Sequence, residues 1–232
     1  MDRLNLVFHQ ILDDEDERRS VYDVHEEVAI ELLKTVSGLL HGRGIALRVF
    51  LDDGYSRQFG FARVLQERLG LLVVIGIATD DVGAEGYLGW NQVEALSSRG
   101  QHIASHGVSH AALGKYDKDA VMETPTGDMY RNMPKGRIAL LSEAEVRYQV
   151  VESHRQLQEH RVAVSDFIYP YGVYNRTIRN IVVNSNLYTA AHTCDVALET
   201  EHSDPFVIPR LVLDNSLPND RWAEKILTLK GG

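Results

Sequence analysis

Three stretches of this 232-residue chain hold residues that could share one reaction. "HIASHGVSH" (102–110) carries His102, His106 and His110 at intervals of four. "LDDGY" (51–55) sets two carboxylates side by side, Asp52 and Asp53, and "YPYG" (169–172) supplies Pro170, Tyr171 and Gly172. A fourth residue, His9, closes the apolar run "LNLVF". Two imidazoles and one carboxylate make a three-ligand set for a divalent ion that leaves room for water and substrate, as catalytic zinc sites do. A second carboxylate beside them can take a proton from that water. No stretch is telling alone. With ten histidines in the chain an H-x-x-x-H pair is commonplace, although on a helix that spacing would place both rings on one face. "DDG" and "YPYG" are ordinary turn sequences. What decides is whether the fold brings them to one place.

The hydrophobic pattern supplies elements that could do so. Seven β-rich runs alternate with helical ones: "LNLVF" (4–8), "IALRVFL" (45–51), "LLVVIGIA" (71–78), "QHIAS" (101–105), "DFIYP" (166–170), "LYTAAHT" (187–193) and "FVIPRLVL" (206–213). Helices are expected behind Asp23, near 57–69, over 90–100, from Ser142 to about His160, and near 174–186 and 219–229. Asp23 with Glu26, and Ser142 with Glu145, read as capping boxes. Residues 114–141 break the rhythm and read as an inserted loop or lid, with Tyr116, Tyr130 and Arg131 as candidate substrate contacts. Strands alternating with helices imply a parallel sheet, open or closed into a barrel, with its ligand site at the carboxyl ends of the strands. Asp52, Asp53, His106, His110, Pro170–Gly172 and His9 all fall just past predicted strands.

In this order and spacing, "FLDDGY" (50–55), "SHGVSH" (105–110) and "FIYPYG" (167–172) resemble the motifs of the polysaccharide deacetylase family (NodB homology, carbohydrate esterase family 4). "YLGWNQVEALSSRGQHIASHG" (87–107) is similar over a longer run, and the likeness covers roughly 4–213 apart from the insertion. The resemblance implies a distorted (β/α)7 barrel, one catalytic domain over 1–232 with the 114–141 insertion, and metal-dependent hydrolysis of an N-acetyl group on an amino sugar. It assigns Asp53, His106 and His110 to one divalent ion, zinc in first place, with cobalt, nickel, manganese or iron as alternatives. It makes Asp52 the base and the Tyr171 backbone N–H, in the turn with Pro170 and Gly172, the oxyanion donor. His102 matches no ligand position. The family's arginine two residues before the motif proline is Ile168 here, and neither its tryptophan-containing motif nor its C-terminal Leu-x-x-His is recognisable. The extra N-terminal strand instead resembles the poly-N-acetylglucosamine deacetylase branch, whose motifs are circularly permuted. His9 then becomes the general acid, with His192 as the fallback. Alternatives are a catalytically silent sugar-binding relative, a deacylase of a small non-carbohydrate amide, and a non-haem iron site.

Composition narrows the partners. A net charge of −9 argues against a nucleic-acid groove or an anionic-membrane patch. The single Cys194 excludes an internal disulfide and a cysteine-based zinc site. No apolar run is long enough to span a bilayer, and "MDRLNLVFHQ" lacks a signal-peptide pattern. The expectation is a cytoplasmic protein, or a secreted one if a leader precedes this sequence. Its substrate would be a small, carrier-linked or polymeric N-acetylated sugar; the sequence sets neither its length nor the oligomeric state.

Overall fold

The computed structural model describes residues 1–13, 15–18, 20–113 and 141–231, so the expected 114–141 lid and its candidate contacts lie, Leu141 aside, outside the described residues. In chain order the strands and helices are β1 (Arg3–Phe8), β2 (Gln10–Leu12), β3 (Asp23–His25), α1 (Glu26–His41), β4 (Ala46–Leu51), α2 (Gln58–Leu69), β5 (Val73–Ile77), α3 (Trp90–Ser98) and β6 (His102–Ser105). There follow α4 (Glu143–Glu159), β7 (Val164–Ile168), α5 (Arg176–Ser185), β8 (Ala190–His192), β9 (Leu211–Val212) and α6 (Asn219–Leu227).

Seven strands form one parallel sheet in the order β8-β7-β6-β5-β4-β1-β9. This is the curled sheet of a (β/α)7 barrel, as expected. Strands covered on both faces read as unbroken apolar runs rather than alternating ones, and both faces are filled here. Val7, Phe50, Val74, Ala104 and Ile168, one from each of five neighbouring strands, make an inner cluster with Val212. The opposite face, including Leu6, Val49, Ile75, Ile103 and Phe167, shares a larger core with helix residues such as Ile30, Leu33 and Val150. Among the described residues no helix is long and apolar enough to cross a membrane.

The first strand lies where the permuted reading requires it. β1 runs beside β4 in parallel, Phe8 opposite Leu51, so His9 and Asp52 leave the same end of the sheet. The last strand differs from expectation. The run 206–213 is not one strand, because Pro209 has no N–H to continue a ladder. Its first half pairs with β8: Ile208 N–H donates to the Ala191 carbonyl (2.9 Å), and Thr193 N–H to the Ile208 carbonyl (2.8 Å). Its second half, β9, pairs with β1. The chain therefore crosses from one sheet edge to the other at Pro209–Arg210.

Helix starts are half as expected. Ser142 and Glu145 form the reciprocal cap of α4. Asp23 does not cap α1: it pairs with Gln10 in a small β2–β3 sheet, its carboxylate accepts from Ser20 N–H (2.8 Å), and His25 occupies the cap position without a side-chain bond to the helix. Pairing with β2 keeps the chain extended to His25, so the helix begins later.

Candidate metal centre

The candidate residues reach the site from the ends of four strands: His9 from β1, Asp52 and Asp53 from β4, His106 and His110 from β6, and Pro170–Gly172 from β7. Asp52 continues β4, its N–H donating to the Phe8 carbonyl (2.9 Å). Asp53 then takes a left-handed backbone (φ 75°), as do His110 (φ 49°) and Tyr171 (φ 58°). That conformation is uncommon in residues other than glycine and gathers at functional sites. His106 follows β6, with its N–H on the Ile77 carbonyl (2.8 Å). The segment 106–110 is not helical, so the four-residue spacing joins the two imidazoles through a turn rather than a helix face.

Three ligand atoms converge. Asp53 Oδ1 lies 3.4 Å from His106 Nε2 and 3.2 Å from His110 Nε2, and the two Nε2 atoms are 3.1 Å apart. A triangle of those edges has its corners about 1.9 Å from its centre, which suits a single small ion with bonds of ~2.0–2.2 Å. Asp53 Oδ1 is buried with no aligned hydrogen-bond donor, and His106 Nδ1 lies 2.9 Å from the Ile168 carbonyl. A carbonyl only accepts, so the ring proton is on Nδ1 and the Nε2 lone pair faces its neighbours. The donor set fits a divalent ion. Burial raises the Asp53 carboxyl, but His110 and His106 more than offset it and hold it far below the ordinary range. Burial lowers His110 to about 4, while the two carboxylates outweigh burial at His106 and raise it.

Asp52 is 2% exposed, and its Oδ2 is 3.9 Å from His106 Nε2. Its other oxygen accepts from Arg210 Nη1 at 2.9 Å. Arg210 is itself fully buried, donates from Nε to the Thr193 carbonyl (2.9 Å), and lies over the Phe50 ring. Burial raises the Asp52 carboxyl; Arg210, then His106 and His9, pull it back below its usual value. The orienting arginine that position 168 lacks is thus supplied by the strand crossing. Sequence reasoning missed it, although an arginine inside an apolar strand run signals a buried counter-charge. Ile168 instead belongs to the inner cluster. Gln58, fully buried at the start of α2, was also missed: its Nε2 donates to the carbonyls of His9 (2.9 Å) and Asp52 (2.6 Å) and ties the ends of β1 and β4 together.

His9 lines a cavity of about 390 Å³ with Asp53, Tyr55, Tyr22 and Arg57. Its ring centroid is 5.1 Å from that of Tyr22, and its Nδ1 is buried without a partner among the described residues. Arg57, on the rim, pairs with Asp13 and Asp16 of the connection between β2 and β3. His192 is fully buried against Phe50, with Nε2 on Asp166 (3.0 Å), and does not line that cavity. His102 opens β6 at the other end of the sheet, half-exposed and 3.6 Å from Asp166.

The turn Pro170–Gly172 closes the site opposite, the Tyr171 ring 4.4 Å from that of His110. Gly172 has φ 69°, and a Cβ there would come within 2.7 Å of Cys194. Gly76 of β5 is crowded by side chains: a Cβ would meet Ile168 Cδ1 at 2.9 Å and Asp52 Oδ1 at 3.2 Å. Gly76→Ala is expected to destabilise the protein by about 1–3 kcal/mol through overpacking and to lower kcat by moving Asp52. Urea unfolding beside steady-state kinetics checks both, and a variant matching the wild type would show that the site tolerates a shift of Asp52.

At the strand ends of this parallel barrel Asp53, His106 and His110 form a group that could hold a metal ion, with a second carboxylate, Asp52, beside it. Residues 49–190, more than half of the chain, match the family described as polysaccharide deacetylase, and the chain belongs to that family. Asp52, Asp53, His106, His110 and Pro170–Gly172 fall inside the matched span, while His9 and Arg210 fall outside it. Solved structures extend the fold over nearly the whole chain. The Streptococcus pyogenes deacetylase PplD in complex with acetate superposes with a TM-score of 0.73 at 12% identity, covering 97% of this chain and 98% of that one. BC0361, a polysaccharide deacetylase from Bacillus cereus, gives 0.71 at 15% identity over 97% of this chain and 69% of that one. IcaB from Ammonifex degensii gives 0.68 at 20% over 96% and 97%. At such identities the likeness is one of fold. No curated protein matches the chain in sequence.

Proposed function

We infer that this chain is a metal-dependent deacetylase that hydrolyses an N-acetyl group from an amino sugar, free, carrier-linked or within a polymer. The observation that carries this reading is the convergence of Asp53, His106 and His110 beside a second carboxylate held by a buried arginine. Those three residues would hold a divalent ion, zinc in first place, and the ion would supply a Lewis acid that acidifies water and polarises the acyl oxygen. Asp52 takes the proton as water attacks the acyl carbon. Arg210 keeps Asp52 ionised and fixed, so the base needs no reorganisation during the step. The oxyanion of the tetrahedral intermediate receives the Tyr171 backbone N–H, a contact worth about 3 kcal/mol where such donors have been removed. His9, which lines the cavity beside Asp53, gives a proton to the departing amine. Loss of 42 Da, the mass difference between acetyl and hydrogen, from N-acetylglucosamine oligomers of graded length tests the reading. It predicts product that a chelator abolishes and an added divalent ion restores; chelator-resistant turnover would remove the metal from the mechanism.

His9→Ala is expected to keep the ion and the fold while lowering kcat on an N-acetyl sugar by ~10²–10⁴-fold. The loss should shrink on an activated phenyl acetate, whose leaving group needs no proton. Wild-type rates on the sugar would place the acid elsewhere.

A further inference from the structure

The loop that carries the two histidine ligands is held in an irregular shape by partners outside it. Gly107 (φ 78°) and His110 (φ 49°) are both left-handed, and such a conformation in a non-glycine residue persists only where its surroundings over-determine it. Accounting for the backbone polar groups of this loop shows what does so. Its carbonyls at Gly107 and Val108 accept from the N–H groups of Thr79 (3.2 Å) and Asp80 (2.8 Å). Its N–H groups at Val108 and Ser109 both donate to one side-chain atom, Gln149 Oε1, at 2.9 and 3.0 Å. Gln149 Nε2 in turn donates to Ser109 Oγ (3.0 Å). The side chain is 7% exposed, and its Oε1 lies 3.2 Å from where a Cβ on Gly107 would stand. Its helix is anchored to the same place. Ser153 Oγ donates to the Gln149 carbonyl (2.6 Å) and lies 2.7 Å from Ser105 Oγ, one residue before His106.

We propose that Gln149 is the positioning residue of the metal centre: it holds the 106–110 loop in its ligating shape before any ion arrives. This rests on the metal reading above. Removing the amide leaves two backbone donors to find other partners, and the loop relaxes away from the conformation that sets His106 Nε2 and His110 Nε2 side by side. Outer partners that orient ligands change metal affinity by ~10–100-fold when lost.

The test is titration of the metal-free protein with cobalt(II), read by the visible absorption of the bound ion, with far-ultraviolet circular dichroism reporting the fold. Gln149→Met, close in volume but without the amide, is expected to bind cobalt ~10–100-fold more weakly with unchanged helix content. Gln149→Glu keeps the acceptor for both N–H groups and is expected to recover most of that affinity, which a purely structural role would not produce. If Gln149→Met does not fold, Gln149→Asn, whose amide falls one methylene short, replaces it with the same expected loss. Wild-type affinity in Gln149→Met or Gln149→Asn, or a Gln149→Glu variant as weak as they are, overturns the proposal. Wild-type protein that binds no more cobalt than His106→Ala overturns the metal centre itself.

Discussion

The His106→Ala, His110→Ala double variant is expected to carry no divalent ion and to release no acetate above background. On the proposed reading three ligands hold one ion, and with two gone Asp53 alone cannot compete with bulk water for it. Elemental analysis should give one ion per wild-type chain and none in the double variant. His102→Ala is the control: His102 opens β6 at the far end of the sheet, so metal content and rate should be unchanged. A double variant with full metal content would place the centre elsewhere in the molecule.

Arg210→Met should have the largest effect on stability. It strands the Asp52 carboxylate, 2% exposed, without its guanidinium partner. Breaking a buried ion pair by removing one partner costs about 3–5 kcal/mol, because the remaining charge keeps its desolvation penalty. The same change frees the base from its fixed orientation, and kcat should fall by a factor of ~10² or more, as expected where general acid–base catalysis is lost. With Asp53 as the proposed ligand, Asp52→Asn should keep its ion and lose most activity. The double variant Arg210→Met, Asp52→Asn should be more stable than the sum of the two single losses, because no uncompensated charge remains. Denaturant midpoints of the four proteins measure that coupling. Additive losses would mean that the pair contributes nothing to folding. Loss of the ion from Asp52→Asn but not from Asp53→Asn would exchange the two roles.

The parts legible in the sequence were those set by neighbours along the chain. β1, β4, β5 and β6 fall within a residue or two of the runs that suggested them, because a strand buried on both faces must be apolar throughout. Ser142 and Glu145 cap α4 because the box closes within four residues. Asp52, Asp53, His106, His110 and Pro170–Gly172 were legible through their order and spacing. Local pattern misled where a distant segment competed. Asp23 has the cap spacing but is drawn into the β2–β3 pair, and the run 206–213 divides at Pro209 between two partners.

By itself, then, the sequence determined the alternation of strands and helices, the ends of the strands, and which residue types stand at those ends. Tertiary structure alone decided that Arg210 meets Asp52 across 158 positions of chain, that Gln58 ties His9 to Asp52, and that His106 and His110 meet through a strained turn instead of along a helix. The physical reason is one of range. Hydrophobic period and capping act within a few residues and leave a readable trace, whereas a buried charge finds its partner only when the curled sheet brings opposite edges together, and nothing near Arg210 in the sequence specifies which carboxylate that will be.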